Sequence, residues 1–447
     1  MKSTFLFILL FTALQLRSQD FTLSPYQDFG LAAPIVGDFN GDDKTDLLGI
    51  HSVAGTSYIG LLVNDGSSPL AFSEKDLGLT FKSVGLPAAA DLDGDSDLDV
   101  LVAKGTALNL FMLHNDGAAN FTADSLGVAG SNVMKVADTD NDGDLDIVGI
   151  NTATSKLRLY LNDGTQHFTT KNITTSTIDL VFFDIADMDN DGDVDIVLGF
   201  YNFTDLHIAL YKNTGGNNFE SVNVAYNTYS SIEGLLIDDI NNDGKKDIIA
   251  IKTFSCDAFI NQGNLSFTQK NLINPGAIIR SVHTGDFNGD GRRDIVLGKN
   301  STDITWHKNL SNTTLEFETH AVGGVSPCFS VTSGDLDSDG DEDIVVHNGN
   351  LWWYENNVMQ EPSGTVNFSD YSVVVSPNPF TDFIQLKNTG QDAFLVNVTD
   401  YTGRNVYSAT VSAEFIDLSK LSPGIYLLSL INTTTHELRS TSIVKGN

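Results

Sequence analysis

The sequence predicts an all-β protein, a seven-bladed β-propeller followed by a small Ig-like β-sandwich. Three observations predict it. An acidic nine-residue pattern recurs seven times, at steps of 53, 47, 49, 52, 47 and 49 residues. Short β-branched runs punctuated by turn residues fill the interval after each copy. The chain beyond residue 373 lacks the pattern and reads as about seven further short strands. Composition agrees with one large array plus a small domain. The 447 residues carry 58 acidic against 25 basic side chains, a formal net charge of −33. That sign argues against nucleic acid and anionic membrane surfaces as partners, because neutralising phosphate needs Lys and Arg.

In chain order, residues 1–18 come first and read as a signal peptide. Lys2 gives a short positive start, Phe5 to Leu16 is a mostly apolar run, and Ser18 is the small residue at the cut before Gln19. A membrane-spanning helix needs about twenty apolar residues, so this run is too short and no later one is longer. Cys256 and Cys328 sit in different repeats and are expected to be separate buried thiols.

Residues 19–357 hold the repeats. The loops begin at Asp38 (DFNGDDKTD), Asp91 (DLDGDSDLD), Asp138 (DTDNDGDLD), Asp187 (DMDNDGDVD), Asp239 (DINNDGKKD), Asp286 (DFNGDGRRD) and Asp335 (DLDSDGDED). After each comes an apolar run, a second strand closed by a turn signal such as Asn64-Asp65-Gly66, and in most copies an aromatic-led strand such as Phe168-Thr169. Four short strands per unit of about fifty residues is the size of a propeller blade. The last unit lacks its fourth strand, and Phe21-Thr22 precedes the first loop with no loop of its own. The N-terminal segment is therefore expected to complete the last blade, hiding edges that an open stack would expose. A nonapeptide β-helix would have a far shorter period.

Positions 1, 3, 5 and 9 of each loop are Asp or Asn. They are Asp38, Asn40, Asp42 and Asp46 in the first loop, and Asp91, Asp93, Asp95 and Asp99 in the second. The third has Asp138, Asp140, Asp142 and Asp146, and the fourth Asp187, Asp189, Asp191 and Asp195. The fifth has Asp239, Asn241, Asp243 and Asp247, and the sixth Asp286, Asn288, Asp290 and Asp294. The seventh has Asp335, Asp337, Asp339 and Asp343. Alternate residues in a tight turn point oxygens inward, and hard oxygen donors at this density suit Ca²⁺ better than Zn²⁺. An EF-hand would add a Glu at position 12; here a strand begins after position 9 instead. Up to seven structural Ca²⁺ are expected, holding turns whose own charges would otherwise splay them. Position 6 is Gly in five loops but Asp43 and Ser96 in the first two, and Lys245-Lys246 and Arg292-Arg293 dilute the charge of the fifth and sixth. The first two turns are expected to bind more weakly or to adopt another geometry, and the fifth and sixth to bind more weakly.

These residues resemble the FG-GAP/VCBS-type propeller repeats of integrin α-chain heads and many secreted bacterial proteins. The eponymous letters stand as Phe29-Gly30 and Ala33-Pro34 before Asp38. The resemblance implies the propeller fold and calcium but not one function, since such propellers serve as adhesion heads, lectins and polysaccharide lyases. Residues 373–447 resemble the type A C-terminal sorting domain of the type IX secretion system. Ser376-Pro377-Asn378-Pro379, Val398 to Arg404, Ile416-Asp417-Leu418-Ser419, Leu421 to Tyr426 and Ile443-Val444-Lys445 carry that resemblance. It implies passage across the outer membrane by the type IX machinery, then release or attachment at the cell surface. Residues 358–372 read as the linker.

No nucleophile elbow, phosphate-cradling loop, HExxH or paired-Cys motif is present. His283 reads as a core histidine, and Trp306, Trp352 and Trp353 as packing between blades. The leading reading is a calcium-stabilised extracellular binding or adhesion module for a glycan or protein ligand. The alternative is a lyase acting on an anionic polysaccharide, and a third is a surface protein with no small ligand. Five residues past each loop lie His51, Lys104, Asn151, Phe200, Lys252, Lys299 and Asn348, with Tyr201 and His347 beside them. At about 3.3 Å per residue these positions fall on the face away from the loops. His51, Lys104, Tyr201, Lys252, Lys299 and His347 are the candidate ligand residues, and their charge favours an anionic ligand.

Overall fold

The structure, a computed structural model, describes residues 21–356 and 374–445. Excepted are short segments at 27–30, 54–55, 68–69, 82–84, 106–107, 152–153, 175–178, 203–204, 229–231, 301–302, 377–382, 388–393, 400–403, 412–414 and 433–437. The expected signal peptide and linker, Phe29-Gly30 and Pro377-Asn378-Pro379 lie outside the described residues. Two compact units are present, Met1–Met359 and Gln360–Asn447.

The first unit is built from repeated four-stranded antiparallel sheets, seven among the described residues. The third repeat shows the plan. Val133–Ala137 leads into the Asp138 loop, Asp146–Asn151 leaves it, and Lys156–Asn162 and Phe168–Asn172 follow as a meander. The second strand is apolar on both faces, its Asp146, Ile147, Val148, Gly149, Ile150 and Asn151 all buried, as a strand covered on both sides requires. The fourth strand carries mostly exposed side chains after its leading Phe168. Polarity therefore rises from the loop-bearing strands outward.

The seventh repeat supplies Ser330–Gly334, Asp343–His347 and Leu351–Glu355, and the chain's first strand, Thr22–Tyr26, completes the sheet. Thr22 pairs with Glu355 and Tyr26 with Leu351, antiparallel, as the missing fourth strand predicts. Neighbouring sheets bury shared apolar layers. Leu47, Leu62 and Phe72 of the first repeat pack with Leu336, Val345 and Trp353 of the seventh. The Phe72 and Trp353 rings meet edge to face at 5.2 Å. Trp306, 2% exposed, and Trp353, 3% exposed, are thus packing residues. Burial pushes the His283 pKa down to about 4, so that ring is neutral. Cys256 and Cys328 are buried free thiols.

The second unit has two sheets, one of Val374–Ser376, Phe383–Lys387 and Phe415–Asp417, the other of Asn405–Val411, Phe394–Thr399, Gly424–Asn432 and Leu438–Lys445. Ile384 and Ile416 from the first join Val396, Val398, Leu428, Leu430 and Ile443 from the second in one core, which makes the pair a sandwich. Among the described residues, no helix is long and apolar enough to cross a membrane.

Candidate functional site: the acidic loops

Each loop closes on its own carboxylates. In all seven, the Asp at position 1 accepts the backbone N–H of position 5 on one oxygen and that of position 6 on the other. The position 5 carboxylate accepts the N–H of position 7 in every copy. Aiming those N–H groups inward requires a left-handed backbone at position 6. Gly143, Gly192, Gly244, Gly291 and Gly340 supply it, and so do Asp43 and Ser96, at φ 62° and 80°. Position 4 is left-handed too, filled by Gly41, Gly94, Asn141, Asn190, Asn242, Gly289 and Ser338. That second reversal went unread in the sequence, although Gly, Asn and Ser at one register were its signal.

Position 9 is the buried member. Asp46, Asp99, Asp146, Asp195, Asp247, Asp294 and Asp343 are all 0% exposed. One oxygen of each accepts the backbone N–H of an asparagine at the end of the third strand: Asn64, Asn115, Asn162, Asn213, Asn261, Asn309 or Asn356. The other oxygen accepts the position 2 N–H in the first, second, third, fourth and seventh loops. Burial outweighs these bonds and raises the position 9 pKa values, to about 6 at Asp99 and Asp195, about 7 at Asp247 and Asp294, and about 8 at Asp343.

The asparagines tie repeat to repeat. Asn115 Nδ2 donates to Phe39 O of the first repeat, Asn64 to Leu336 O of the seventh, and Asn356 to Phe287 O of the sixth. Asn309 reaches Ile240 O, Asn261 reaches Met188 O and Asn213 reaches Thr139 O. Six of the seven junctions carry this bond. Sequence reading took Asn64 only for a turn residue; the recurrence of an asparagine at this place in every repeat was the missed signal.

The oxygens converge as a cation site needs. Ligating atoms of Asp138, Asp140 and Asp146 lie within 4.8 Å of one another, as do those of Asp187, Asp189 and Asp195, of Asp91, Asp93 and Asp95, and of Asp335, Asp337 and Asp339. Asp140 Oδ1, Asp189 Oδ1, Asp247 Oδ2 and Asp339 Oδ2 are buried with no hydrogen-bond partner. A buried carboxylate oxygen left so is costly, and a bound cation would satisfy it. The donors fit a hard metal ion. Internal cations distinguish the loops. Lys44 pairs with Asp42 at 3.1 Å, Lys245 with Asp243 at 2.8 Å and Arg292 with Asp290 at 2.6 Å. In the fourth loop Lys212, from the third strand, reaches both Asp189 and Asp191. His114, at the matching place in the second, lies 3.0 Å from Asp93. Sequence reading missed both Lys212 and His114 because each lies about twenty residues from the acids it meets.

The candidate ligand residues sit at the far strand ends in different surroundings. His51 Nδ1 bonds Tyr58 OH, Lys104 lies 5.2 Å above the Phe111 ring, and Tyr201 OH accepts the Ile232 N–H. Lys252 is neutralised by Asp257 at 2.6 Å. Lys299 is only 5% exposed, and the His347 ring packs on Phe329 at 5.8 Å.

Two family models match the chain. The FG-GAP-like repeat matches residues 38–102, 91–149, 138–198, 187–250 and 286–346, so every loop lies inside a match and more than half the chain is covered. The chain belongs to the FG-GAP-like repeat family. Beyond its FG-GAP-like repeats, residues 374–445 match the secretion system C-terminal sorting domain, which implies export by type IX secretion to the cell surface or outside. Comparison with curated proteins finds no match. Among solved structures, the chain is similar to an Agrocybe aegerita lectin that specifically recognises non-reducing terminal N-acetylglucosamine. That alignment has 20% identity and TM-score 0.52 over 72% of this chain and 86% of the lectin. It is also similar to BBS1N, solved with ARL6DN, at 10% identity and TM-score 0.52 over 77% of this chain and 98% of that one. Likeness at these identities concerns the β-propeller-like fold.

Proposed function

We propose that this chain is a secreted or cell-surface seven-bladed β-propeller, held by up to seven structural Ca²⁺, that binds an extracellular glycan or protein. The observation that carries the calcium reading is the convergence of carboxylates in recurring loops, with buried oxygens left unpartnered. Extracellular calcium modules work at Kd of about 10⁻⁴–10⁻³ M, a range met outside the cell and not in the cytoplasm. The sorting tail supports that destination. Metal would then lock the fold after export. The buried second strands, with the asparagine ties from third strands to neighbouring loops, supply a rigid frame, and rigid frames presenting loops are a common basis for binding.

Thermal unfolding of the full mature chain, with calcium and then with excess chelator, tests the metal. Each site held at a hundredfold its Kd contributes about 2.7 kcal/mol, so a clear fall in Tm is expected. An unchanged Tm would refute structural calcium. A glycan array with calcium present, including terminal N-acetylglucosamine and acidic sugars, tests the binding role, together with capture of extracellular proteins. Loss of neither cell attachment nor any ligand on deleting the gene product would refute it.

A further inference from the structure

We propose that the cavity between the fifth and sixth repeat sheets binds the carboxylate of an acidic sugar, with Lys299 as its anchor. The proposal rests on the binding-module reading and names a ligand class for it. The cavity, of about 340 Å³, is lined on its polar side by Lys299, Thr305, His307 and Thr319 and on its apolar side by Leu272 and Phe317, among others. Its volume falls in the range of small-molecule sites and exceeds a single sugar ring.

The fifth repeat provides the internal comparison. Lys252 and Lys299 both stand five residues past their loops. Lys252 is met by Asp257, whose register partner is Ala250, three residues past the loop. In the sixth repeat the residue paired with the matching Leu297 is Thr305. A threonine has thus replaced the aspartate that neutralises the lysine. Among the described residues, no hydrogen bond or ion pair reaches the Lys299 ammonium, although the side chain is 5% exposed. Holding a cation this far from water with no carboxylate in ion-pair reach among the described residues is unfavourable, and a ligand carboxylate would relieve it by a charge-assisted hydrogen bond. Burial lowers the Lys299 pKa, offset in part by Asp303.

The rest of the cavity suits hydroxyls. His307 is 1% exposed, and burial pushes its pKa down to about 3, so the imidazole is neutral with one donor and one acceptor. Its Nε2 lies 2.9 Å from Thr305 Oγ1 and its Nδ1 3.0 Å from Thr319 Oγ1. One threonine hydroxyl therefore accepts from the ring and keeps its own proton to donate. The other donates to the ring and keeps its lone pairs. One fixed donor and one fixed acceptor beside an apolar wall match a sugar ring's edge and face. The net charge of −33 does not exclude an anion here, because exposed charges are screened beyond about 8 Å at physiological salt.

The test is calorimetric titration of the full mature chain, with calcium present, using D-glucuronate, methyl glucoside and inorganic sulfate as probes. Glucuronate should bind, with the other two at least tenfold weaker. Lys299→Met should weaken glucuronate at least tenfold. Thr305→Asp, which installs the carboxylate of the fifth repeat, should abolish binding while leaving Tm unchanged or higher. Lys252→Met should bind as the unmodified chain does. No glucuronate binding, equal binding of all three probes, or full binding by either Lys299→Met or Thr305→Asp would overturn the site. Glycan or protein ligands bound on the array without glucuronate binding would overturn this site alone and leave the binding-module reading in place.

Discussion

Asn261→Ala isolates what one inter-repeat asparagine contributes. The side chain is 1% exposed. Its Nδ2 donates to Met188 O at 2.8 Å and Lys246 O at 3.1 Å, and its Oδ1 accepts from Gly263 N at 3.0 Å. Alanine keeps the backbone N–H that serves Asp247, so the loss belongs to the side chain. Three bonds at about 1 kcal/mol each, with a buried carbonyl stranded at Met188, give a loss of roughly 3 kcal/mol. At about 2 °C per kcal/mol for a large domain, Tm should fall by roughly 6 °C. Asn261→Asp should cost more, since it turns an oxygen toward the two carbonyls in place of the amide donor. Asn162→Ala should cost less: among the described residues its side-chain bonds, to Leu145 O and from Gln166 N, stay within its own repeat. Calorimetric scans at saturating calcium hold the metal contribution constant. A change below about 1 °C for Asn261→Ala, or equal losses at Asn261 and Asn162, would refute the reasoning.

Removing the internal cation by Lys212→Met should tighten calcium binding at the fourth loop, because the ammonium now sits on Asp189 and Asp191; titration showing weaker calcium binding would refute this. The metal-free protein should be less stable at pH 8 than at pH 5.5. Burial raises the folded-state pKa of all its position 9 carboxyls, to about 6–8 at Asp99, Asp195, Asp247, Asp294 and Asp343, so the stability they give is present when protonated and lost as pH rises through that window. With calcium bound the trend should reverse, since ligation needs the carboxylates ionised; metal-free melting curves flat or rising with pH would count against it. Deleting residues 373–447 should leave the repeats folded and the protein in the periplasm, and normal arrival outside the cell would refute the sorting assignment.

The repeats were legible because each signal was repeated. A single DxDxDG loop says little, but seven at one spacing fix where hairpins turn, and a missing strand at one end with a spare at the other predicts the pairing of Thr22–Tyr26 with Leu351–Glu355. What stayed hidden depends on contacts between distant residues. Asn64 before Asp65-Gly66 has the composition of a turn, and only the neighbouring Leu336 carbonyl makes it a tie between repeats. The candidate ligand residues Lys104, Lys252 and Lys299 were read from one register position, which could not weigh what lies across the hairpin. There, Asp257 neutralises Lys252, while Thr305 gives Lys299 no such ion pair among the described residues. Periodicity reports what repeats share, whereas a ligand site depends on where one repeat departs from the rest.

The loops and the repeat junctions share hydrogen-bonded residues. From the second repeat, Asn115 holds Phe39 O, and the Phe39 N–H holds Asp46. Asp46 also takes the Asn64 N–H, and Asn64 holds Leu336 O of the seventh repeat. Leu336 N–H holds Asp343, which takes the N–H of Asn356, and Asn356 holds Phe287 O of the sixth. Along this run, from the second repeat through the first and seventh to the sixth, each repeat crossed is entered and left through its position 9 carboxylate, Asp46 or Asp343, the same group proposed to ligate calcium. Emptying one loop therefore leaves a repelling, buried carboxylate inside the tie to its neighbour, not only a loose turn. Stability in repeat arrays is set by intrinsic and nearest-neighbour terms, and a metal held as proposed would enter both. Calcium removal should accordingly unfold the repeats in one transition, with calorimetric and van't Hoff enthalpies agreeing at each calcium concentration. A series of separate transitions, one loop after another, would show that the carboxylates serve their own turns and do not couple the repeats.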